Sequence, residues 1–303
     1  MTTPASPPGP RDPQTSPAVQ PGAPGPRRRK PPRRVEVVSV SRIGPRLVSV
    51  WVGGEALDGF AINAPTSHIK VYLPVAGQQA PTLPADGPNG PVWPQDAPRP
   101  FVRTYTPRRF DEESRTLEVQ FVVHGEGPAS DWAERAAPGD QLAVAGPGGR
   151  FSLDPSIERW WIAGDESALP AVGTLLEALP PSASAEVHLE VADADDEIEL
   201  TSPAKFDLTW HHRRAPDAWG VELEQAAHDA EVADDTEVWL ACEATTVRDL
   251  RRYFLADRNH PRDSIVTRGY WRRGFANHPD HDYGDDDLVP CAEPPAVPPR
   301  SCT

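Results

Sequence analysis

Apolar and polar residues alternate in three short runs between residues 35 and 73: Val35-Glu36-Val37-Val38-Ser39-Val40, Leu47-Val48-Ser49-Val50-Trp51-Val52 and His68-Ile69-Lys70-Val71-Tyr72-Leu73. A period of two sends successive side chains to opposite faces, so each run predicts a β-strand. Gly44-Pro45 and Gly53-Gly54 punctuate them, the pattern of an antiparallel barrel or sandwich. Residues 74–100 are rich in proline and glycine and are expected to form a loop. Arg103-Thr104-Tyr105-Thr106 reads as a further strand, ended by Pro107, which has no N–H to give to a ladder. A polar turn, Asp111-Glu112-Glu113-Ser114, leads to its hairpin partner, Leu117 to His124, and Gln141–Ala145 with Gly148–Phe151 complete an antiparallel barrel of about six strands. One short helix interrupts them, with Gly127 free to turn, Pro128 at the first helical position, and Ala129-Ser130-Asp131-Trp132 following.

From residue 156 the pattern changes. The apolar run Trp160-Trp161-Ile162-Ala163 breaks at Gly164-Asp165-Glu166-Ser167, and a helix follows through Leu169, Val172, Leu175 and Leu176. Strands at Glu186–Val191, Phe206–Trp210, Glu237–Leu240 and Ser264–Thr267 then alternate with helices near 217–229 and 244–257. Strands alternating with helices predict βαβ units and a parallel sheet. The expected organisation is a proline-rich tail over 1–34, a β-barrel domain over 35–155, a parallel-sheet α/β domain over 156–275 and a second tail over 276–303.

Candidate chemistry concentrates on the strand at residue 103. Arg103 and Tyr105 share one face, so a permanent cation sits beside a phenol ring. Arg103 has the geometry to clamp a diphosphate, Tyr105 to pack on a ring, and Thr106 to reach a heteroatom of the same ligand. The helix start at Pro128, Ala129 and Ser130 offers unsatisfied N–H groups and a positive dipole end, a second seat for phosphate. Each feature alone is also that of an ordinary amphipathic strand or proline-initiated helix; the combination carries the reading. The turn at 164–167 lacks G-x-G-x-x-G and by itself says little about a dinucleotide.

Charge narrows the classes. Residues 1–34 hold 11 of the 38 prolines and a net charge of +6, residues 276–303 hold 6 prolines and a net charge of −5, and the total of −15 leaves about −16 on the 241 residues between. So acidic a core argues against nucleic acid as a partner, and tails of this composition are expected to be disordered. No run of about 20 apolar residues is present to span a bilayer, and the basic, proline-rich start is unlike a signal peptide, so a cytoplasmic monomer without membrane contact is expected. Cys242, Cys291 and Cys302 have no metal-ligand spacing, and no metal site is expected; Cys242, in an apolar run, reads as a buried small hydrophobe.

The residues between about 35 and 275 resemble the siderophore-interacting proteins, a branch of the ferredoxin-reductase-like flavoproteins. The resemblance rests on Arg103-Thr104-Tyr105-Thr106, His124-Gly125-Glu126-Gly127-Pro128-Ala129-Ser130, Ala163-Gly164-Asp165-Glu166-Ser167-Ala168-Leu169-Pro170-Ala171 and Gly269-Tyr270-Trp271-Arg272-Arg273-Gly274. It implies an FAD-binding barrel facing an NAD(P)H-binding-like α/β domain, and reduction of a ferric siderophore with electrons from NADH, NADPH or ferredoxin. By position, Arg103 and the Pro128-Ala129-Ser130 start would hold the pyrophosphate. Tyr105 and Thr106 would meet the isoalloxazine or ribityl part, with His124 close to the cofactor and Thr104, Asp165 and Glu166 also among the residues expected to bind it. Basic residues of such a cleft correspond to Lys70, Arg150 and Arg272, with Arg273 in reserve, although from the residues alone Lys70 is equally a solvated strand lysine. Asp165 and Glu166 stand where other flavin reductases have a glycine-rich turn, which puts close approach of a nicotinamide diphosphate in question. His211-His212-Arg213-Arg214 could grip a 2′-phosphate, whereas Asp193, Asp195 and Asp196 would repel one. Two other readings stay open: a diaphorase-like reductase serving a protein acceptor, and a flavin-free siderophore-binding module.

Overall fold

Alternating valine and leucine build the strands of the first half, which a computed structural model of the chain describes from residue 31 to residue 276, except 88, 89, 126, 150 and 217. These strands are β1 (Arg33–Gly44), β2 (Leu47–Gly53), β3 (His68–Leu73), a small hairpin of β4 (Ala85–Gly87) and β5 (Gly90–Val92), β6 (Phe101–Tyr105), β7 (Pro107–Asp111), β8 (Thr116–Val122) and β9 (Gln141–Gly148), with helix α1 (Pro128–Arg135) between β8 and β9. Seven of them form one antiparallel sheet in the order β6-β3-β9-β1-β2-β8-β7. Its two edge strands, β6 and β7, are consecutive in sequence with Thr106 alone between them, so the sheet closes into a barrel at Thr106.

The barrel therefore has seven strands rather than six. Pro107 does not end the pairing but opens β7, opposite Val119, and the register shifts between Pro107 and Arg109. The first residue of an edge strand is one of the few ladder positions proline tolerates. Two further expectations shift. Arg33 and Arg34 belong to β1, where they pair with Val144 and Ala143, although composition assigned them to a tail. The 74–100 segment holds the β4–β5 hairpin, and the predicted strand at Gly148–Phe151 supplies only Gly148, as the last residue of β9. Of the two tails, residues 1–30 and 277–303 lie outside the described ones.

The second half consists of β10 (Arg159–Asp165), α2 (Leu169–Ala178), β11 (Ser184–Val191), β12 (Lys205–His212), α3 (Val221–Asp229), β13 (Thr236–Glu243), α4 (Ala244–Arg252) and β14 (Ile265–Trp271). All five strands are parallel, ordered β12-β11-β10-β13-β14. Trp160 and Ile162 pack toward α2, while Trp161 and Ala163 pack with Leu223 of α3 and Val247 and Leu250 of α4, so β10 is apolar on both faces, as an interior parallel strand must be. Cys242 is buried in this second cluster, as expected, and burial pushes its thiol pKa well up. The chain moves outward from β10 to β12 and returns to β13, which makes the carboxyl ends of β10 and β13 the topological switch point where open α/β sheets bind ligands.

The two sheets share a core. Leu47 of β2 joins the cluster of α2 and β10, and Val122 of β8 packs against it. This explains why β2 and β8 are buried on both faces, including Ser49, Glu118 and Gln120, whose alternation would otherwise mark a wet face.

Candidate functional site

In β6 the register places Tyr105 opposite Ile69 and Arg103 opposite Val71, both buried, so Arg103 and Tyr105 share the face predicted for them. Tyr105 packs on Phe121 of β8 with ring centroids 4.4 Å apart, and Phe121 packs on Trp132 of α1 at 5.4 Å. This aromatic chain ties the Arg103 strand to the short helix. Burial pushes the Tyr105 phenol pKa up, against the opposing charge of Arg103, so it stays a neutral donor. Arg103 Nη1 donates to the Val102 carbonyl at 2.9 Å, and among the described residues no carboxylate neutralises it.

The helix start is equally ready for an anion. Gly127 is the N-cap with φ 96°, offers no side chain to cap the first turn, and is followed by Pro128. Ser130 Oγ accepts the His124 backbone N–H at 3.0 Å, which folds the segment before the helix back over its first turn. A cation with no carboxylate partner among the described residues and an uncapped helix start, on elements tied through Phe121 and Trp132, fit the diphosphate of FAD. The buried Thr106 sits at the barrel seam beside them. Thr104 departs from expectation. Cross-strand pairing puts it opposite Lys70, on the other face from Arg103, where its Oγ1 accepts a hydrogen bond from Lys70 Nζ.

Across the molecule, the mouth of the parallel sheet is filled by charge. Asp165, 2% exposed, accepts from the Ser167 backbone N–H at 2.9 Å, from the Ser167 hydroxyl, and from Trp271 Nε1 at 2.7 Å. Glu166 forms a two-pronged ion pair with Arg213. Glu190, fully buried and aligned with Asp165 across β10 and β11, accepts the Gly220 N–H at 3.0 Å and lies 3.5 Å from Arg213. Arg213 also stacks over Trp219 at 3.7 Å, and Trp219 meets Trp271 edge-on at 4.7 Å. Burial, then the Glu166 charge, raises the Asp165 pKa to about 6; burial raises that of Glu190 to about 7 despite Gly220 and Arg213.

Asp165 and Glu166 are thus spent on partners within the chain rather than presented to a nucleotide. Of the four residues considered for a phosphate grip, Arg213 is buried against Glu166, His211 is bonded to His188 at 3.0 Å, and His212 and Arg214 form exposed pairs with Glu197 at 2.8 Å and Glu222 at 2.7 Å. Glu190, Trp219 and Gly220 are not singled out by the sequence; the one available signal is that Glu190 stands between Leu189 and Val191, near the end of its strand.

The end of β14 is pinned on both sides of Arg272. Asp165 holds Trp271, and Glu243, which caps α4 through the N–H groups of Thr245 and Thr246, also accepts the Arg273 N–H at 3.2 Å. Arg272 itself is exposed, with its guanidinium 4.5 Å from the Phe275 ring centroid. Arg150 lies outside the described residues. Among those described, no cluster of three metal-ligating side chains occurs and no helix is long and apolar enough to cross a membrane.

Comparison with known proteins agrees with this layout. The family model of the siderophore-interacting FAD-binding domain matches residues 36–151, and that of the siderophore-interacting protein matches residues 157–274. The chain is 35% identical over 250 residues to ferric vibriobactin reductase ViuB of Vibrio cholerae, covering 80% of this chain and 90% of the relative. It is 34% identical over 248 residues to the NADPH-dependent ferric-chelate reductase of Escherichia coli, covering 79% and 92%. A siderophore utilization protein from T. fusca superposes with a TM-score of 0.73 at 37% identity, covering 82% of this chain and 95% of that one. By both its sequence and its pair of domains, the chain belongs to the siderophore-interacting protein family.

Proposed function

We propose that the protein is an FAD-dependent ferric-siderophore reductase that releases iron as Fe(II). The observation that carries this reading is that the Arg103 strand and the uncapped helix α1 are tied together through Tyr105, Phe121 and Trp132, within a chain that aligns along most of its length with ferric-chelate reductases. Bound FAD supplies two-electron acceptance from NAD(P)H and one-electron delivery to iron. The protein's own residues bind, orient and exclude water; none need act as a nucleophile. Fe(II) is held far less firmly than Fe(III) by hard anionic oxygen donors, so reduction frees it.

In this reading Arg103 and the N–H groups at the start of α1 hold the diphosphate, with Tyr105 and Thr106 along the flavin. An anionic ferric chelate meeting a core of about −16 needs locally inverted charge. Lys70, Arg150 and Arg272, with Arg273 behind them, are the residues proposed to supply it. The donor is NADH or NADPH, the second being what the E. coli relative uses by name. The carboxylates packed into the sheet mouth favour reduced ferredoxin as the alternative donor, since it docks from outside.

The test is anaerobic reoxidation of the reduced, FAD-loaded protein by a ferric catecholate. Each exposed charge pair contributes only about 0.2–1 kcal/mol, so the triple Lys70→Ala/Arg150→Ala/Arg272→Ala variant is decisive. It should bind the chelate more weakly with unchanged flavin content. The difference should shrink with salt, as the Debye length falls from about 10 Å at 0.1 M to about 3 Å at 1 M. Equal apparent affinity and equal salt dependence in parent and triple variant would place the chelate elsewhere and favour a diaphorase. A protein that takes up no flavin would leave the binding-module reading.

A further inference from the structure

Arg108 lies two residues past the barrel seam and is 9% exposed, yet no role in holding the cofactor requires it. Its guanidinium reaches across to α2, where Nη1 and Nη2 donate to the two carboxylate oxygens of Glu177 at 2.7 and 2.6 Å. Arg109 joins from the same strand, with Nη2 3.4 Å from Glu177 and Nε 4.0 Å from the buried Glu118. The helix is notched to receive Arg108: a Cβ added at Gly173 would stand 3.0–3.1 Å from Nη2, Cζ and Nε of that guanidinium. Glycine inside a helix is destabilising, so here helix propensity gives way to the fit of the arginine. The next residue, Thr174, accepts the Thr66 backbone N–H at its Oγ1 at 3.0 Å, a second tie between the barrel and α2.

These contacts hold the middle and last turn of a short helix whose first turn adjoins the sheet mouth. The start of α2 follows directly on Asp165-Glu166-Ser167-Ala168, the turn that forms the sheet mouth, and its last turn holds Glu177. On the barrel side, Arg108 follows Arg103-Thr104-Tyr105-Thr106 with only Pro107 between. We propose that the Arg108–Glu177 clamp, seated in the Gly173 notch, is a positioning device that fixes the distance between the flavin-binding strand and the mouth of the second sheet, and so sets the rate at which electrons enter the flavin. The proposal rests on the FAD reading above. Arg108 is a positioning residue here, its guanidinium being engaged by Glu177. The Arg108 hydrogen bonds also hold the Glu177 carboxyl below its ordinary pKa range, as a persistent pair should.

Three single variants test it. Gly173→Ala keeps both charges and improves helix propensity but pushes the guanidinium; Arg108→Lys keeps the charge and loses the fork; Glu177→Gln keeps the shape and loses the charge. Each is loaded with FAD, and flavin reduction is followed by stopped flow at saturating NADH and NADPH, or reduced ferredoxin if the parent accepts from neither. Amide hydrogen exchange over residues 105–111 and 169–178 is measured in parallel on the FAD-free chain.

The expected result is FAD affinity within about twofold of the parent for all three. The limiting reduction rate should fall at least tenfold in Arg108→Lys and Glu177→Gln and severalfold in Gly173→Ala, whose melting temperature is not lowered. Exchange should rise in both segments for the first two variants. Parent-like limiting rates in all three, with only melting temperature changed, would reduce the clamp to a structural tie and overturn the proposal. So would a loss of rate that merely follows a loss of flavin. No ferric chelate enters this half-reaction, so a parent whose reduced flavin fails to reduce the chelate sinks the reductase reading while leaving the clamp result standing.

Discussion

Arg103→Ala should weaken FAD binding by about one to two decades while leaving the apo fold intact. A hydrogen bond to a charged group contributes about 1.5–3 kcal/mol, and each 1.4 kcal/mol is about tenfold in affinity. The apo protein should tolerate the change because the Arg103 guanidinium has a backbone carbonyl, that of Val102, as its described partner rather than a carboxylate that would be left unpaired. Arg103→Lys should recover only part of the loss, since an ammonium restores the charge but not the fork that matches a phosphate. Titration of FAD into the apo protein, read by quenching of flavin fluorescence, checks both. Undiminished affinity in Arg103→Ala would remove Arg103 from the cofactor site, and with it the chemical reading of β6.

The second large effect concerns stability. Arg213 serves two buried carboxylates, Glu166 and Glu190, with Asp165 in the same cluster. Removing one partner of a buried ion pair leaves an uncompensated charge and costs about 3–5 kcal/mol. Arg213→Met, which keeps an apolar stem against Trp219, should therefore lower the unfolding free energy by about that much at pH 8. The pH dependence has a definite sign. Asp165 and Glu190 have folded-state pKa values raised to about 6 and about 7, so the folded chain holds protons that the unfolded chain has released. Their contribution is fully present below the ordinary carboxylate range near pH 4 and is lost as pH rises through about 6 and 7. The parent should lose stability from pH 5 to pH 8, Arg213→Met should lose it more steeply, and the gap between them should narrow toward pH 5. Glu190→Gln, with no charge to bury, should flatten the parent's profile. Urea unfolding at pH 5, 6.5 and 8 measures all three; a gap independent of pH would mean that the cluster is not the source of the effect.

The cluster also shows how far each kind of information reaches. The alternation at Arg103 and Tyr105 was legible because the two-residue period of a strand is a local property, and the start of α1 was legible because Gly127-Pro128 is a local backbone signal. The parallel sheet followed from the alternation of strands with helices after Trp160–Ala163, which is the pattern of βαβ units. Which charges are free was not legible. His211-His212-Arg213-Arg214 reads as four available cationic or titratable groups, and each of the four is taken by a partner 8 to 47 residues away in sequence.

The physical reason is the difference between periodicity and register. Periodicity is written in neighbouring residues, and by itself the sequence determined the strands, the helices, the two-sheet class and the face on which Arg103 and Tyr105 lie. Register depends on which strands meet and at what offset. Only the tertiary structure set Glu190 beside Asp165, brought Arg213 between Glu190 and Glu166, and buried Glu118 and Gln120. Thr106 shows both levels in one residue: the sequence marks it as a strand end beside a proline, and the sheet order makes it the link between the two outer strands β6 and β7, with Arg103 on one side and the Arg108–Glu177 clamp on the other. Closure and ion pairing join groups far apart along the chain, so they are decided when the surfaces that bury them come together.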